Sequence, residues 1–352
     1  NEAVRVRILV RFPMKRLGIL GAALGIFCLA PFASASDGIG IFETVHESSL
    51  SFDDTASALE AAIAKSDLTL HTSHDVRVPE GKHNARVYVL TSPAYRASAA
   101  AESPRTASAQ VLRMAIFTMG DAQTTYINMA NPVAHAMVFY AQSGNYDALV
   151  SAAGAAADEI RAVAQSVPGN AMSVQQEPIR TEKKYRKFNG DGPAKMMAKF
   201  RSWKKSQLTI REASAGAFDE TVDSVAAVLA AGTVAGPEEC EGWEVITQIR
   251  LSDDVVYFGL TNPFIEDKMV RINSRFRSEG KTEAAPYPGV DHVTALPTDV
   301  LVVNDGNLTR VLHYGQMWRM QLYFWDSGYR AFTANMAVPG TIADAIEDAI
   351  DQ

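Results

Sequence analysis

Three histidines, His71, His74 and His83, fall within thirteen positions of this chain, with Asp75 beside them. Neutral imidazoles and a carboxylate are good ligands for Cu(II) or Zn(II), and a strand ending in a turn would let His71 and His74 converge on one ion. The spacing matches no zinc signature and lacks the helical two-histidine geometry of zinc hydrolases. A metal-handling reading therefore competes with ordinary histidines in a polar loop. Other catalytic templates are absent from the sequence: there is no Gly-x-Ser-x-Gly elbow, no His-Glu-x-x-His, no phosphate-cradling glycine loop and no Cys-x-x-Cys-His. Cys240 lies in Pro237-Glu238-Glu239-Cys240-Glu241, where carboxylates raise a thiol pKa, so it is a poor nucleophile. Carboxylates are plentiful but show no distinguishing spacing, which leaves a hydrolase of unknown specificity as a third reading and no cofactor evident.

A second set of candidates recurs. Thr91-Ser92-Pro93-Ala94-Tyr95 is echoed by Thr261-Asn262-Pro263-Phe264. Hydroxyl and amide side chains followed by Pro make a turn that leaves a strand. Two such turns also suit a ligand cleft between copies, with Thr91, Ser92, Tyr95, Thr261, Asn262 and Phe264 on its walls. Asn131, in Asn128 to Pro132, joins them as a further turn or binding residue. The turn reading comes first in each case.

Those phrases belong to a wider repeat. Phe52-Asp53-Asp54-Thr55 returns as Phe218-Asp219-Glu220-Thr221, Val87-Tyr88-Val89-Leu90 as Val256-Tyr257-Phe258-Gly259-Leu260, and Met114 to Tyr140 more loosely as Thr298 to Phe324. The separation widens along the chain, as it would if the second copy had gained loop residues. So long a repeat implies two globular copies that pack as a monomeric pseudo-dimer.

The elements that must position the candidates follow from periodicity. Ile39 to Glu47 suits a strand, and Asp53 to Lys65 a helix with Ala56, Leu59 and Ile63 on one face. Val222, Val225 and Leu229 occupy the matching face in the second copy. Asp53 and Asp219 suit helix N-termini, where a carboxylate accepts free N–H groups. Strands are expected near Leu68 to Thr72, Arg86 to Leu90, Arg113 to Thr118, Thr124 to Met129 and Ala136 to Tyr140. An Ala-rich helix, Asn145 to Ser166, closes the first copy, and Ile342 to Ile350 closes the second. Runs of strands with helices near the ends of each copy give an α+β class, two copies of an antiparallel sheet backed by helices.

That order of elements, with Ala115-Ile116-Phe117, Gly120-Asp121 and Asn128-Met129-Ala130-Asn131-Pro132, resembles the bacterial domain of unknown function 302 family. The resemblance covers both copies and implies a TATA-box-binding-protein-like α+β fold, strand, helix, four or five strands, helix. It implies no enzyme chemistry.

The remaining segments concern place and partners. Met14-Lys15-Arg16, the apolar Leu17 to Leu29 and Ala33-Ser34-Ala35 read as a signal peptide cleaved near Ala35, with residues 1–35 forming leader plus signal and the product periplasmic or secreted. No later segment is long enough to span a membrane. Removing five basic and one acidic residue with that leader takes the net charge from −7 to −11, which disfavours nucleic acid as a partner. Cys240 is then the lone cysteine, so no intrachain disulfide forms. Residues 36–168 make the first copy and 207–352 the second. Between them, 169–206 is a basic linker whose run from Arg180 to Lys205 places Met196, Met197, Phe200 and Trp203 at helical spacing. That amphipathic helix suits either a packing role at the seam or contact of 180–205 with an anionic membrane surface or acidic partner. Together these observations indicate an exported, non-catalytic binding or interaction protein for a small ligand or a protein partner.

Overall fold

The computed structural model describes residues 38–79, 83–119, 123–188, 190, 207–231, 240, 242–271, 288–325 and 332–351. The signal-like segment and the apolar stripe of Met196, Met197, Phe200 and Trp203 lie outside the described residues.

The first copy runs β1 (Ile39–Ser48), α1 (Phe52–Ile63), β2 (Thr69–Asp75), β3 (Ala85–Thr91), α2 (Pro93–Ser98), a 3-10 segment (Pro104–Gln110), β4 (Leu112–Met119), β5 (Thr124–Ala130), α3 (Pro132–Phe139) and α4 (Tyr146–Gln165). Then come β6 (Gly169–Arg180) and α5 (Glu182–Arg186). The second copy repeats the series as β7 (Gln207–Ser214), α6 (Phe218–Ala230), β8 (Glu244–Ser252), β9 (Val255–Thr261), α7 (Pro263–Arg271), a 3-10 segment (Pro288–Ala295), β10 (Thr298–Asp305), β11 (Leu308–Tyr314), α8 (Gln316–Phe324) and α9 (Val338–Ile350). The sheets have the orders β2-β3-β4-β5-β1-β6 and β8-β9-β10-β11-β7. All their ladders are antiparallel, and apart from β6 the two orders are the same. Duplication is thus visible in topology as well as in sequence, and the α+β class holds.

Helices cover one face of each sheet. Leu59 and Ile63 of α1 and a row of alanines on α4, Ala153, Ala156, Ala157 and Ala164, are buried against the first sheet, the small side chains letting the α4 backbone come close. Val222, Val225 and Leu229 of α6 and Ile342, Ala345, Ile346 and Ala349 of α9 do the same for the second. A sheet covered on one face only would expose every second residue. Here β3, β4, β9 and β10 are buried almost throughout, because each copy lays its 3-10 segment over the other copy's sheet. The described residues from Gly38 onward belong to one compact unit.

Three expectations change. Ala136 to Tyr140 is not a strand: Asn131 caps α3, Pro132 fills its first turn, and this segment continues that helix. The segment placed in the linker begins with β6, which pairs along β1 and adds a sixth strand to the first sheet. The β4–β5 turn is two residues longer than the β10–β11 turn, since Met119 pairs with Thr124 but Asp305 with Leu308. The first copy is therefore the longer one at that turn, and β4 and β10 align two residues away from the simple sequence match.

Candidate functional site

Register supplies the true correspondence between the copies. Val89 faces Arg113 across β3 and β4, and Gly259 faces Asp299 across β9 and β10. Arg113 and Asp299 are therefore equivalent positions, and they meet: Arg113 Nη2 donates to Asp299 Oδ1 at 2.6 Å, with both side chains buried. Tyr257 donates to the same Oδ1 at 2.8 Å, and Arg113 Nη1 donates to Tyr323 Oη at 3.3 Å. His135 Nε2 lies 2.8 Å from Tyr323 Oη. Burial is the largest single influence and opposes the Arg113 charge, but Asp299, Tyr323 and Tyr257 together outweigh it and raise the Arg113 pKa. Burial and then the Arg113 charge press His135 down to about 3, so its ring is neutral. Burial likewise raises Tyr323.

A second equivalence joins Arg96 of α2 with Glu266 of α7, each three residues past the Pro that opens its helix. Arg96 Nη2 donates to the Leu251 carbonyl oxygen, where β8 ends. Glu266, wholly buried, accepts the backbone N–H of Arg77 at 2.8 Å just beyond β2. Counting on from the matched positions Asp75 and Arg250, Val76–Arg77 corresponds to Leu251–Ser252, where the β8–β9 register shifts. The Leu251–Ser252 peptide presents its oxygen to a cation and the Val76–Arg77 peptide its N–H to an anion. Glu266 also accepts from Thr261 Oγ1 at 2.9 Å and sits 2.7 Å from His74 Nε2. Burial pushes against its charge, but these hydrogen bonds prevail and hold the Glu266 pKa below the ordinary value.

Counting back from β4 and β10 pairs Arg105 with Asp291 in the two 3-10 segments. The Arg105 carbonyl oxygen accepts from Tyr314 Oη at 2.8 Å, and the Asp291 carbonyl oxygen accepts from Asn128 Nδ2 at 2.6 Å. The Arg105 side chain binds Asp305 at 2.6 Å, and Gln176 donates to Asp291 Oδ2 at 3.3 Å.

Next to this seam the second copy holds a narrow crevice of about 30 Å³ between α7, α8 and the start of α9. Ile265, Met269, Met320, Phe324, Val338 and Ile342 give it apolar walls, Arg319 and Tyr323 reach its floor, and Lys268 stands beside it. Arg319 is buried and all its hydrogen-bond acceptors are neutral: Ala295 O at 2.7 Å, Pro297 O at 3.2 Å and Gln316 Oε1 at 3.3 Å. In the first copy the corresponding α3 and α4 are joined by the short stretch 140–145, whereas 325–337 separates α8 from α9. Larger, more open grooves lie elsewhere, one of about 590 Å³ between α2 and the β8–β9 turn and one of about 660 Å³ beside Lys183, Arg186 and Lys187.

The sequence candidates are brought together in pairs only. His71 Nε2 lies 2.9 Å from Thr91 Oγ1, and burial, then the Arg96 charge, lower its pKa. His74 turns instead to Glu266, and His83 is buried at the far end of the β2–β3 connection. A register shift between Leu70 and Thr72 separates the first two. Among the described residues no group of three His, Cys, Asp or Glu is placed to hold a metal ion. Ser92, Asn131 and Asn262 cap helices, accepting from the backbone N–H of Tyr95 at 3.4 Å, Val133 at 3.0 Å and Ile265 at 2.8 Å. Tyr95 is buried under α2, and Phe264 lies under Lys268, 5.1 Å from Nζ to its centroid. Asp53 and Asp54 occupy the first turn of α1 behind the cap Ser51, while Asp219 in α6 binds Arg250 at 2.6 Å. Arg113, Asp299 and Arg319 were missed. Their signal was present, a charge set in the apolar runs Leu112 to Phe117, Thr298 to Val303 and Met317 to Met320.

Among described residues no helix is long and apolar enough to cross a membrane. Among solved structures the chain is similar to one described as an uncharacterized conserved protein DUF302 from Bacillus stearothermophilus, at 15% identity, over 36% of this chain and 98% of that chain, with a TM-score of 0.30. No protein-family profile matches the chain, and no curated protein matches it.

Proposed function

We propose that the chain is an exported, non-catalytic binding protein whose ligand seat is the crevice between α7, α8 and α9. The observation that carries this reading is the inequality of the copies: the second pairs apolar walls with a buried guanidinium on the floor. Apolar walls with a few convergent polar groups are the usual lining of a small-molecule site, and at about 30 Å³ this crevice admits only a small head group. The titratable groups of the seam are committed to one another, and His135 is neutral and paired with Tyr323. The signal-like segment from Met14 to Ala35 supports export.

Blocking the crevice tests the reading. Small molecules that raise the unfolding midpoint of the chain from Ser36 should lose that effect in Val338→Trp, which fills the mouth without touching the seam. Shifts that persist unchanged in the blocked protein would place the ligand elsewhere. Export is tested separately by the N-terminal residue of the protein recovered outside the cytoplasm, expected at Ser36.

A further inference from the structure

Among the described residues Arg319 is a cation removed from water without a counter-ion. Arg113, also buried in the seam, has Asp299, and Glu266 has His74 and Arg77. Arg319 has two backbone carbonyls, one amide oxygen and the ring of Tyr323, 5.8 Å from its Cζ to the centroid. The nearest carboxylate in that chain of hydrogen bonds is Glu347, three hydrogen bonds away through Gln316 and His313. Gln316 Nε2 lies 3.4 Å from His313 Nδ1, and His313 Nε2 lies 3.2 Å from Glu347 Oε1. Glu347 is half-exposed, and its charge is spent on His313, whose hydrogen bond lowers its pKa. Buried charges in folded proteins are ordinarily paired, because leaving one unpaired costs several kcal/mol.

The surroundings say what would complete it. Arg319 lines the apolar crevice; Nη2 already donates to Ala295 O and Pro297 O and Nη1 to Gln316 Oε1, so what it offers an entering group is its uncompensated positive charge rather than a free fork. Lys268 adds a second cation beside it and is only loosely held by Asp267, 3.9 Å away. A space of about 30 Å³ takes two water-sized groups at most, which suits a carboxylate head and excludes a bulky one. The carbon chain behind the head has no room in that space as it stands and would need Met269 and Met320, unbranched side chains that re-pack readily, to give way.

Resting on the reading of the crevice as the ligand seat, we infer that the ligand is a short-chain monocarboxylate, bound head-down to Arg319 with its alkyl part on the methionine walls. Thermal unfolding of the chain from Ser36 with butanoate, butanamide, chloride and phosphate tests this. Butanoate at about 100 times its Kd should raise the midpoint by roughly 5 °C, while the amide and the inorganic anions leave it unchanged. Arg319→Gln should abolish the butanoate shift. Lys268→Gln, a half-exposed surface change that leaves the fold intact, should weaken binding several-fold with a reduced salt dependence. Equal shifts from butanoate and butanamide, lost in Val338→Trp, would overturn the carboxylate while leaving an apolar ligand seat. An equal shift from chloride or phosphate would mean a bare anion site and also overturn it. No shift from butanoate in either the wild-type chain or Lys268→Gln would reject the monocarboxylate outright.

Discussion

Along the seam the first copy carries Arg96, Arg105 and Arg113, and at the equivalent positions the second carries Glu266, Asp291 and Asp299. A symmetric dimer cannot do this, because residues related by its two-fold axis are identical and a group near the axis faces its own kind. Joining two copies in one chain lifts that restriction. The seam then holds complementary charges that favour the first copy against the second over either copy against itself. The difference teaches that divergence here served pairing, and Arg319 stands outside that scheme.

The sharpest way to break the comparison is at its centre. Asp299→Ala leaves Arg113 buried and unpaired and should cost about 3–5 kcal/mol in urea unfolding. The double replacement Arg113→Met with Asp299→Leu should recover most of that loss. A cost below about 1 kcal/mol for the single change would mean that the pair does not govern the seam.

Acid should act next. His135 has a folded pKa of about 3, below its ordinary 6.5, so the unfolded chain binds the proton first. Its contribution is full above pH 6.5 and falls by about 1.4 kcal/mol per unit as pH drops toward 3. Glu266, also depressed, adds its loss only below about its ordinary 4.5. Unfolding midpoints measured from pH 7.5 to 4 should therefore decline already below 6.5, and His135→Gln should flatten the upper part of that decline. A flat profile down to pH 4.5 in the wild-type chain would remove His135 from the seam account.

Glu266→Gln keeps the shape but loses the charge that binds Arg77 N–H and His74, and should cost about 1–3 kcal/mol. Arg96→Ala, at the half-exposed equivalent clasp, should cost about 1 kcal/mol. Similar costs at both would mean that the two clasps are alike in strength despite their opposite charge.

The architecture was legible because it rests on repetition and periodicity. The matched phrases and the faces of Leu59 and Val225 predict two α+β copies, and the sheets follow that order. Local ambiguity cost α3, where Ala136 to Tyr140 is apolar throughout and reads equally as strand or helix until Asn131 and Pro132 are recognised as a cap. The Thr-Ser/Asn-Pro phrases read as strand-ending turns, whereas in the structure Ser92 and Asn262 cap helices that open there. The seam escaped because its partners lie far apart in sequence, Arg113 from Asp299 and Arg96 from Leu251. Only strand register shows that these are the same positions in two copies. The histidine cluster misled for the reverse reason, nearness in sequence without convergence in space.

The added strand β6 has a consequence for exchange with solvent. It bonds the outer edge of β1, so β1 is flanked on both sides, while its counterpart β7 ends the second sheet. Amide protons in β1 can exchange only when β5 or β6 lifts away, and those on the outer side of β7 need no such opening. The N-terminal strand of the first copy should thus be among the slowest to take up deuterium, and β7 among the first.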